Sequence, residues 1–262
     1  MRILFIGDVF GDLGVKAIET YLPRLRAERG IDFCVANGEN AATRGTGLSR
    51  AAADALFRYG VDVITLGNHT WKDKDVFSLI KENERVIRPA NWPEGNPGAG
   101  AVLVQTPEGP VGVVNLLGRL YMDSCDCPFA AADRELARLR ERARVILVDL
   151  HAEATSEKCA FAYHVDGRAS LVVGTHTHVQ TADERILPGG TAFLTDAGMT
   201  GPADGVIGVS REPAVRRFRT QIPERFSPAV GRRQLNAVIA DVDPDSGKAE
   251  TVERVRIISD AL

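Results

Sequence analysis

Five short apolar runs in this chain each stop at residues that can bind a cation or move a proton. Ile3-Leu4-Phe5-Ile6 runs into Gly7-Asp8, and 33–36 runs into Asn37-Gly38-Glu39-Asn40. Residues 61–66 lead into Gly67-Asn68-His69, and 145–148 into Asp149-Leu150-His151-Ala152-Glu153. The last, 171–173, leads into Gly174-Thr175-His176-Thr177-His178. Runs this short and continuous read as strands of a parallel sheet buried on both faces. Open α/β sheets bind ligands outside the carboxyl ends of their strands. The pattern therefore gathers Asp, Glu, Asn and His side chains at one rim.

Between the runs the apolar spacing changes to that of helices. Val15, Ile18, Leu22 and Leu25 fall on one helical face, and Ser49 is placed to cap a helix carrying Ala53, Leu56 and Phe57. Short helices are expected at 75–82 and 131–143. Hairpins are expected around Pro107-Glu108-Gly109-Pro110 and Pro188-Gly189-Gly190, and a last strand pair around Pro244-Asp245-Ser246-Gly247. Strand–helix alternation followed by hairpins predicts an α/β sandwich with mixed β-sheets flanked by helices. With 262 residues and neither a repeat nor a linker, one domain over 1–262 is expected.

Composition narrows the function classes. Charged residues make up 26% and hydrophobic ones 44%, values of a globular chain rather than a disordered one. A net charge of −3 provides no global field for duplex DNA. No apolar run reaches the roughly 18 residues of a membrane span. The opening apolar stretch is broken by Asp8 and reads as a strand rather than a leader, so a cytoplasmic protein with no membrane partner is expected. The four cysteines do not suggest a disulfide framework, and Cys125-Asp126-Cys127 lacks the second pair of a zinc site.

The chain has five histidines, and His69, His151, His176 and His178 all sit at the predicted rim. His164 does not, and is read as a non-ligand. Asp8, Glu39, Asn40, Asn68, His151, His176 and His178 are more ligands than one tetrahedral ion uses. They suggest two ions with Glu39 bridging. The oxygen and nitrogen donors, without thiolate, fit Fe, Mn or Zn. A pair of such ions clamps the attacking and leaving oxygens of a phosphoryl transfer.

Gly67-Asn68-His69, the isolated His151 and Gly174-Thr175-His176-Thr177-His178 resemble the last three motifs of the calcineurin-like metallophosphoesterases. The first two motifs depart from that family. Asp-x-His is replaced by Asp8-Val9-Phe10, and Gly-Asp by Gly38-Glu39. Asn40 is expected to stand in for the lost histidine. One ion would then contact Asp8, Glu39, Asn40 and His178, and the other Glu39, Asn68, His151 and His176. These departures, with Gly7-Asp8-Val9-Phe10-Gly11, Asn37-Gly38-Glu39-Asn40-Ala41-Ala42 and the stretches 151–158 and 195–202, resemble the YmdB-like bacterial group over about 2–258. That resemblance implies a metal-dependent phosphodiesterase acting on 2′,3′-cyclic nucleotides.

His69 is spare in this ligand count. A departing ribose alkoxide needs a proton, and an imidazole can supply one near neutrality, so His69 is expected to be the general acid paired with attack by a metal-bridging hydroxide. A structural or phosphate-binding role is the alternative. Glu153 is read either as orienting His151 or as a salt-bridge partner of Lys158 or an arginine, with related roles for Thr175 and Asp196. Arg44, in a glycine-rich loop after Asn40, would touch substrate phosphate or sit in solvent. Arg211, Arg216, Arg217, Arg219 and Arg225 form a basic cluster, read as a solvated face or as a surface for RNA ends or a partner; no series of stacking aromatics is evident beside it, which counts against single-stranded RNA. The Pro-rich stretch 91–100 suggests a homo-oligomer contact. A nucleotide- or RNA-binding regulatory protein with incidental hydrolysis remains the competing reading.

Overall fold

Burial on both faces turns the apolar runs into central strands. The structure, a computed structural model, describes residues 1–259; the end of the domain expected over 1–262 lies outside them. The chain runs β1 (Arg2–Ile6), β2 (Asp8–Val9), α1 (Gly11–Arg29), β3 (Phe33–Asn37), α2 (Arg50–Arg58), β4 (Val63–Thr65), a 3-10 turn (Thr70–Lys72), α3 (Val76–Glu82) and β5 (Val86–Ile87). It continues through β6 (Ala101–Thr106), β7 (Gly109–Leu117), α4 (Pro128–Arg140), β8 (Val145–His151), α5 (Thr155–Val165) and β9 (Leu171–Thr175). Then come β10 (Arg185–Ile186), β11 (Ala192–Leu194), β12 (Met199–Pro202), α6 (Arg211–Thr220), β13 (Arg233–Val242) and β14 (Ala249–Ile258).

The strands form two sheets. The 8-stranded sheet has the order β2-β12-β13-β1-β3-β4-β5, with β14 on β13; the 6-stranded sheet has the order β10-β11-β9-β8-β7-β6. β1, β3, β4 and β5 are parallel, as are β7, β8 and β9, so their carboxyl ends point the same way within each sheet. β13 with β14, β6 with β7 and β10 with β11 are the antiparallel hairpins that the turn residues foretell.

Alternation along each strand sorts side chains between layers. Ile3 and Phe5 of β1 join Val35, Val63, Val113, Leu147 and Val173 between the sheets. Leu4 and Ile6 turn the other way, onto Ile18, Leu22 and Leu56 of α1 and α2. On the far side, Ile146 and Val148 pack on Leu136 of α4 and Phe161 of α5. The result is the expected α/β sandwich of mixed sheets flanked by helices. Ser49 caps α2 as expected, accepting from the Ala52 amide at 3.3 Å. Among the described residues no helix is long and apolar enough to cross a membrane.

Two helices are invisible in the apolar pattern. α5 buries Glu157 and Lys158 on its inner side, so polar residues occupy core-facing positions. α6 buries only Ala214. β8 also runs on to His151, three residues beyond the predicted run, because its polar end is still buried.

Phe5 is 1% exposed at the centre of the inter-sheet layer. Phe5→Ala is expected to cost about 3–5 kcal/mol, read as a lowered denaturant midpoint with an unchanged m-value.

Candidate metal centre

Each sheet delivers its side chains from strand ends. Asp8 lies in β2, which pairs in parallel with β12. Glu39 and Asn40 follow β3, and Asn68 and His69 follow β4. His151 is the last residue of β8, and His176 and His178 follow β9. Asp8, Glu39, Asn40 and His151 are buried, while Asn68, His69, His176 and His178 are partly exposed. Gly7 lets the chain before Asp8 pass close against Gly198: a Cβ there would lie 1.9 Å from the Gly198 carbonyl oxygen.

Donor atoms of Glu39, His151 and His176 all lie within 4.8 Å of one another. His151 Nε2 is 3.3 Å from Glu39 Oε1, 2.9 Å from Asn68 Oδ1 and 3.1 Å from His176 Nδ1. Beside this group, His178 Nε2 is 3.7 Å from Asp8 Oδ1 and 3.3 Å from Asn40 Nδ2, and Asn40 Nδ2 donates to Glu39 Oε1 at 3.1 Å. All seven residues predicted as ligands therefore meet in one place, with Glu39 between the two groups. Asn40 turns its amide nitrogen, not its oxygen, inward; Oδ1 instead accepts from His69 Nδ1 at 2.7 Å.

A buried network orients His151. The Thr175 hydroxyl donates to Asp149 Oδ1 at 2.7 Å, so its oxygen is left to accept from His151 Nδ1, at 2.9 Å. This directs His151 Nε2 toward Glu39 and Asn68. Asp149 also accepts from Thr65 and Asn37. Asp149 stands two residues before His151, which puts both on one face of β8, and that spacing is the signal in the sequence for its role. Glu153 faces His176 Nε2 at 3.2 Å rather than His151, and Lys158 pairs with Asp196 at 2.7 Å. The tip of the loop after β4 brings the His69 amide onto Glu39 Oε2 at 2.9 Å.

His176 and His178 take left-handed backbone angles, φ +98° and +66°. Non-glycine residues pay about 1–3 kcal/mol each for such strain. Several contacts hold the turn. The His176 amide donates to Asp8 Oδ2 at 3.1 Å. The Thr177 amide and hydroxyl both donate to Asp196 Oδ2, the oxygen that also receives the Lys158 ammonium. His178 Nδ1 donates to the Ile207 carbonyl at 2.9 Å.

The electrostatics call for positive charge. Burial pushes the Asp8 carboxyl upward against the pull of His178 and His151. Burial acts on Glu39 in the same sense, but His151 and His69 outweigh it and hold Glu39 well below the usual carboxylate range. Burial would lower His151, yet Glu39 and Asp8 prevail and raise it to about 9. Burial, aided by His151, pushes His176 down to about 3. Asp149 is raised to about 6 by burial, against the pull of His151 and its hydrogen bonds.

The residues fit a divalent cation. Asp8 Oδ1 is buried and has no hydrogen-bond partner among the described residues. A Cβ at Gly67 would fall 2.4 Å from both Glu39 Oε2 and the His151 ring, so glycine keeps this space open. The donors are oxygen and nitrogen, without thiolate. Arg44, in contrast, turns back to the carbonyls of Thr46 and Lys72 and lies 3.9 Å from Asp73. His164 lies apart on α5, 2.9 Å from Asp133.

A family model described as YmdB-like protein matches residues 4–255. A Bacillus subtilis (strain 168) protein named 2′,3′-cyclic-nucleotide 2′-phosphodiesterase is 48% identical over 262 residues, covering 100% of this chain and 99% of that one. A crystal structure of a hypothetical protein from Thermus thermophilus has a TM-score of 0.92 at 43% identity, covering 98% of this chain and 99% of the other. A Mycoplasma pneumoniae structure described as a novel phosphatase has a TM-score of 0.92 at 34% identity, covering 98% and 93%.

Two outcomes are expected. Asp149→Asn loses an acceptor that aligns His151, and divalent-ion affinity should fall about 10–100-fold by chelator competition. An entering ion must also displace the proton from His151, whose pKa is raised to about 9. Apparent affinity should therefore rise about tenfold per pH unit toward pH 9 and then level, for one displaced proton.

Proposed function

The chain belongs to the YmdB-like family, and we propose that it is a metal-dependent phosphodiesterase acting on 2′,3′-cyclic nucleotides. The observation that carries this reading is the buried Asp8 Oδ1, without a hydrogen-bond partner among the described residues, beside Glu39 and ringed by imidazoles from both sheets. The substrate class rests on the similarity to the Bacillus subtilis enzyme. Asp8, Glu39, Asn40 and His178 would hold one ion, and Glu39, Asn68, His151 and His176 a second, with the Asn40 amide turned over to present its oxygen. Fe, Mn or Zn suits this donor set. Two such ions, when bound, polarise the phosphoryl oxygens and lower the pKa of an attacking water. The reading takes 1–262 as one domain in the cytoplasm.

The chain's own residues supply the remaining chemistry. Attack of water on phosphorus breaks one P–O bond to the ribose, and the departing oxygen needs a proton. His69 is the group we assign to provide it. Its Nδ1 lies 2.7 Å from Asn40 Oδ1 and 3.1 Å from Glu39 Oε1, and the Glu39 contact still orients the ring once Asn40 turns its oxygen to an ion. Nε2 has no hydrogen-bond partner among the described residues, and the side chain is 31% exposed, so it can meet a substrate arriving from solvent. Glu153 fixes His176 by accepting from Nε2, leaving Nδ1 toward His151.

His69→Ala is expected to keep its metal by elemental analysis and to lose about 10²–10⁴-fold in kcat on 2′,3′-cyclic AMP. Unchanged turnover would remove His69 from the mechanism. Wild-type activity should disappear with chelator and return with Mn or Fe; hydrolysis at full rate after every ion is stripped would overturn the functional reading.

A further inference from the structure

Between Ile207 and Ala229 the chain leaves the sandwich as an excursion that carries α6. Its base is closed by hydrogen bonds from the Ser210 amide to Ser227 O at 3.0 Å and from the Ala229 amide to Gly208 O at 2.8 Å. The same base touches the candidate metal centre, because Ile207 O accepts from His178 Nδ1 and Gly208 packs on Phe10 and Met199. α6 therefore starts at the rim of the site, four residues after a contact to His178, and runs about 15 Å away from Ser210 at 1.5 Å per residue.

The helix has almost no inward role, since only Ala214 is buried. At 3.6 residues per turn, Phe218, Arg211, Val215, Arg219, Glu212 and Arg216 follow one another around one side. A groove of about 750 Å³ lies along Arg211, Glu212, Val215, Arg216, Arg219 and Thr220. Phe218 is 75% exposed at the edge of this stripe. The charge is lopsided: four arginines accompany a single acid, Glu212, on α6, in a chain whose net charge is −3. Arg216 lies 3.4 Å from Glu224, and Arg217 stacks over Phe226 at 5.3 Å. Arg211, Arg219 and Arg225 make no ion pair among the described residues.

We propose that α6 and the segment to Arg225 form a docking strip for single-stranded RNA whose 3′ end, closed as a 2′,3′-cyclic phosphate, enters the metal centre. The proposal rests on the phosphodiesterase reading and extends its substrate class from free nucleotides to RNA ends. Arginines track the phosphates, and the exposed phenyl ring of Phe218 offers a face for a base to stack on, a combination that binds single strands without regard to sequence. The reaction balances as for the mononucleotide. Water adds to phosphorus, one ribose–oxygen bond to phosphorus breaks, and the strand leaves with a terminal phosphate monoester and a free ribose hydroxyl. Pairing α6 with its equivalent in a second copy would set arginine against arginine across a two-fold axis, so a polyanion is the better match.

The test compares wild type with Arg216→Glu/Arg219→Glu and with Phe218→Ala. These side chains are exposed, so unchanged melting temperatures are expected. Three probes are used: 2′,3′-cyclic AMP, a short oligoribonucleotide ending in a 2′,3′-cyclic phosphate, and the same strand ending in a 3′-hydroxyl, followed by fluorescence anisotropy. The charge reversal should raise KM for the cyclic-ended strand about tenfold or more at unchanged kcat, and leave cyclic AMP kinetics untouched. Phe218→Ala should weaken binding of the hydroxyl-ended strand about 5–100-fold. The salt dependence of wild-type binding should lose about 0.7 of log–log slope for each phosphate-contacting arginine removed. Equal KM for the strand in all three proteins, or no wild-type binding of the hydroxyl-ended strand, would overturn the docking strip. So would a shift from oligomer to monomer in the α6 variants with RNA binding unchanged, which would make α6 a contact between copies. If α6-dependent binding persists but neither cyclic substrate is hydrolysed, the phosphodiesterase reading fails while the strip stands.

Discussion

Two carboxylates buried side by side govern this molecule. Asp8 and Glu39 are almost wholly removed from water, in a position where an uncompensated charge costs several kcal/mol. The fold answers with positive or polarisable groups from both sheets: His151 from β8, His176 and His178 from the turn after β9, and His69 from the loop after β4. One oxygen of Asp8 is still left without a hydrogen-bond partner among the described residues. The compensation supplied by protein atoms alone is incomplete, which is the physical ground for placing a cation there.

Holding the imidazoles in place requires a second buried charge pair. The turn His176-Thr177-His178 adopts backbone angles that these residues avoid when unconstrained. Asp196 receives both donors of Thr177, and Lys158 of α5 neutralises Asp196. A helix whose inner face is charged thus serves the site rather than the core. The far end of the same turn rests on Ile207, so the excursion bearing α6 continues the architecture of the site and is not an unrelated appendage.

Much of this organisation is legible in the residues. The runs that end at Asp8, Glu39, Asn68, His151 and His176 are strands, and their polar ends converge. Ser49 caps α2, and the Pro-Gly turns join hairpins. What escapes are the elements whose logic is not apolar periodicity. α5 hides behind buried Glu157 and Lys158, whose partners come from distant segments. α6 has no apolar stripe at all because it covers no core. Asp149 stands in plain view beside His151, but its role depends on Thr65, Asn37 and Thr175 arriving from three other strands.

By itself, then, the sequence determined the layered α/β architecture and the list of side chains that gather at the strand ends. Strand burial and strand direction are local consequences of apolar continuity, and a parallel sheet carries every carboxyl end to one edge. Only the tertiary structure decided how those side chains are oriented: that Glu153 belongs to His176, that Asn40 turns its oxygen to His69, that Arg44 folds back on its own loop, and that the basic segment is a helix at the rim. Orientation of a polar group is set by whichever donor or acceptor the fold brings within about 3 Å, and those partners lie far apart along the chain.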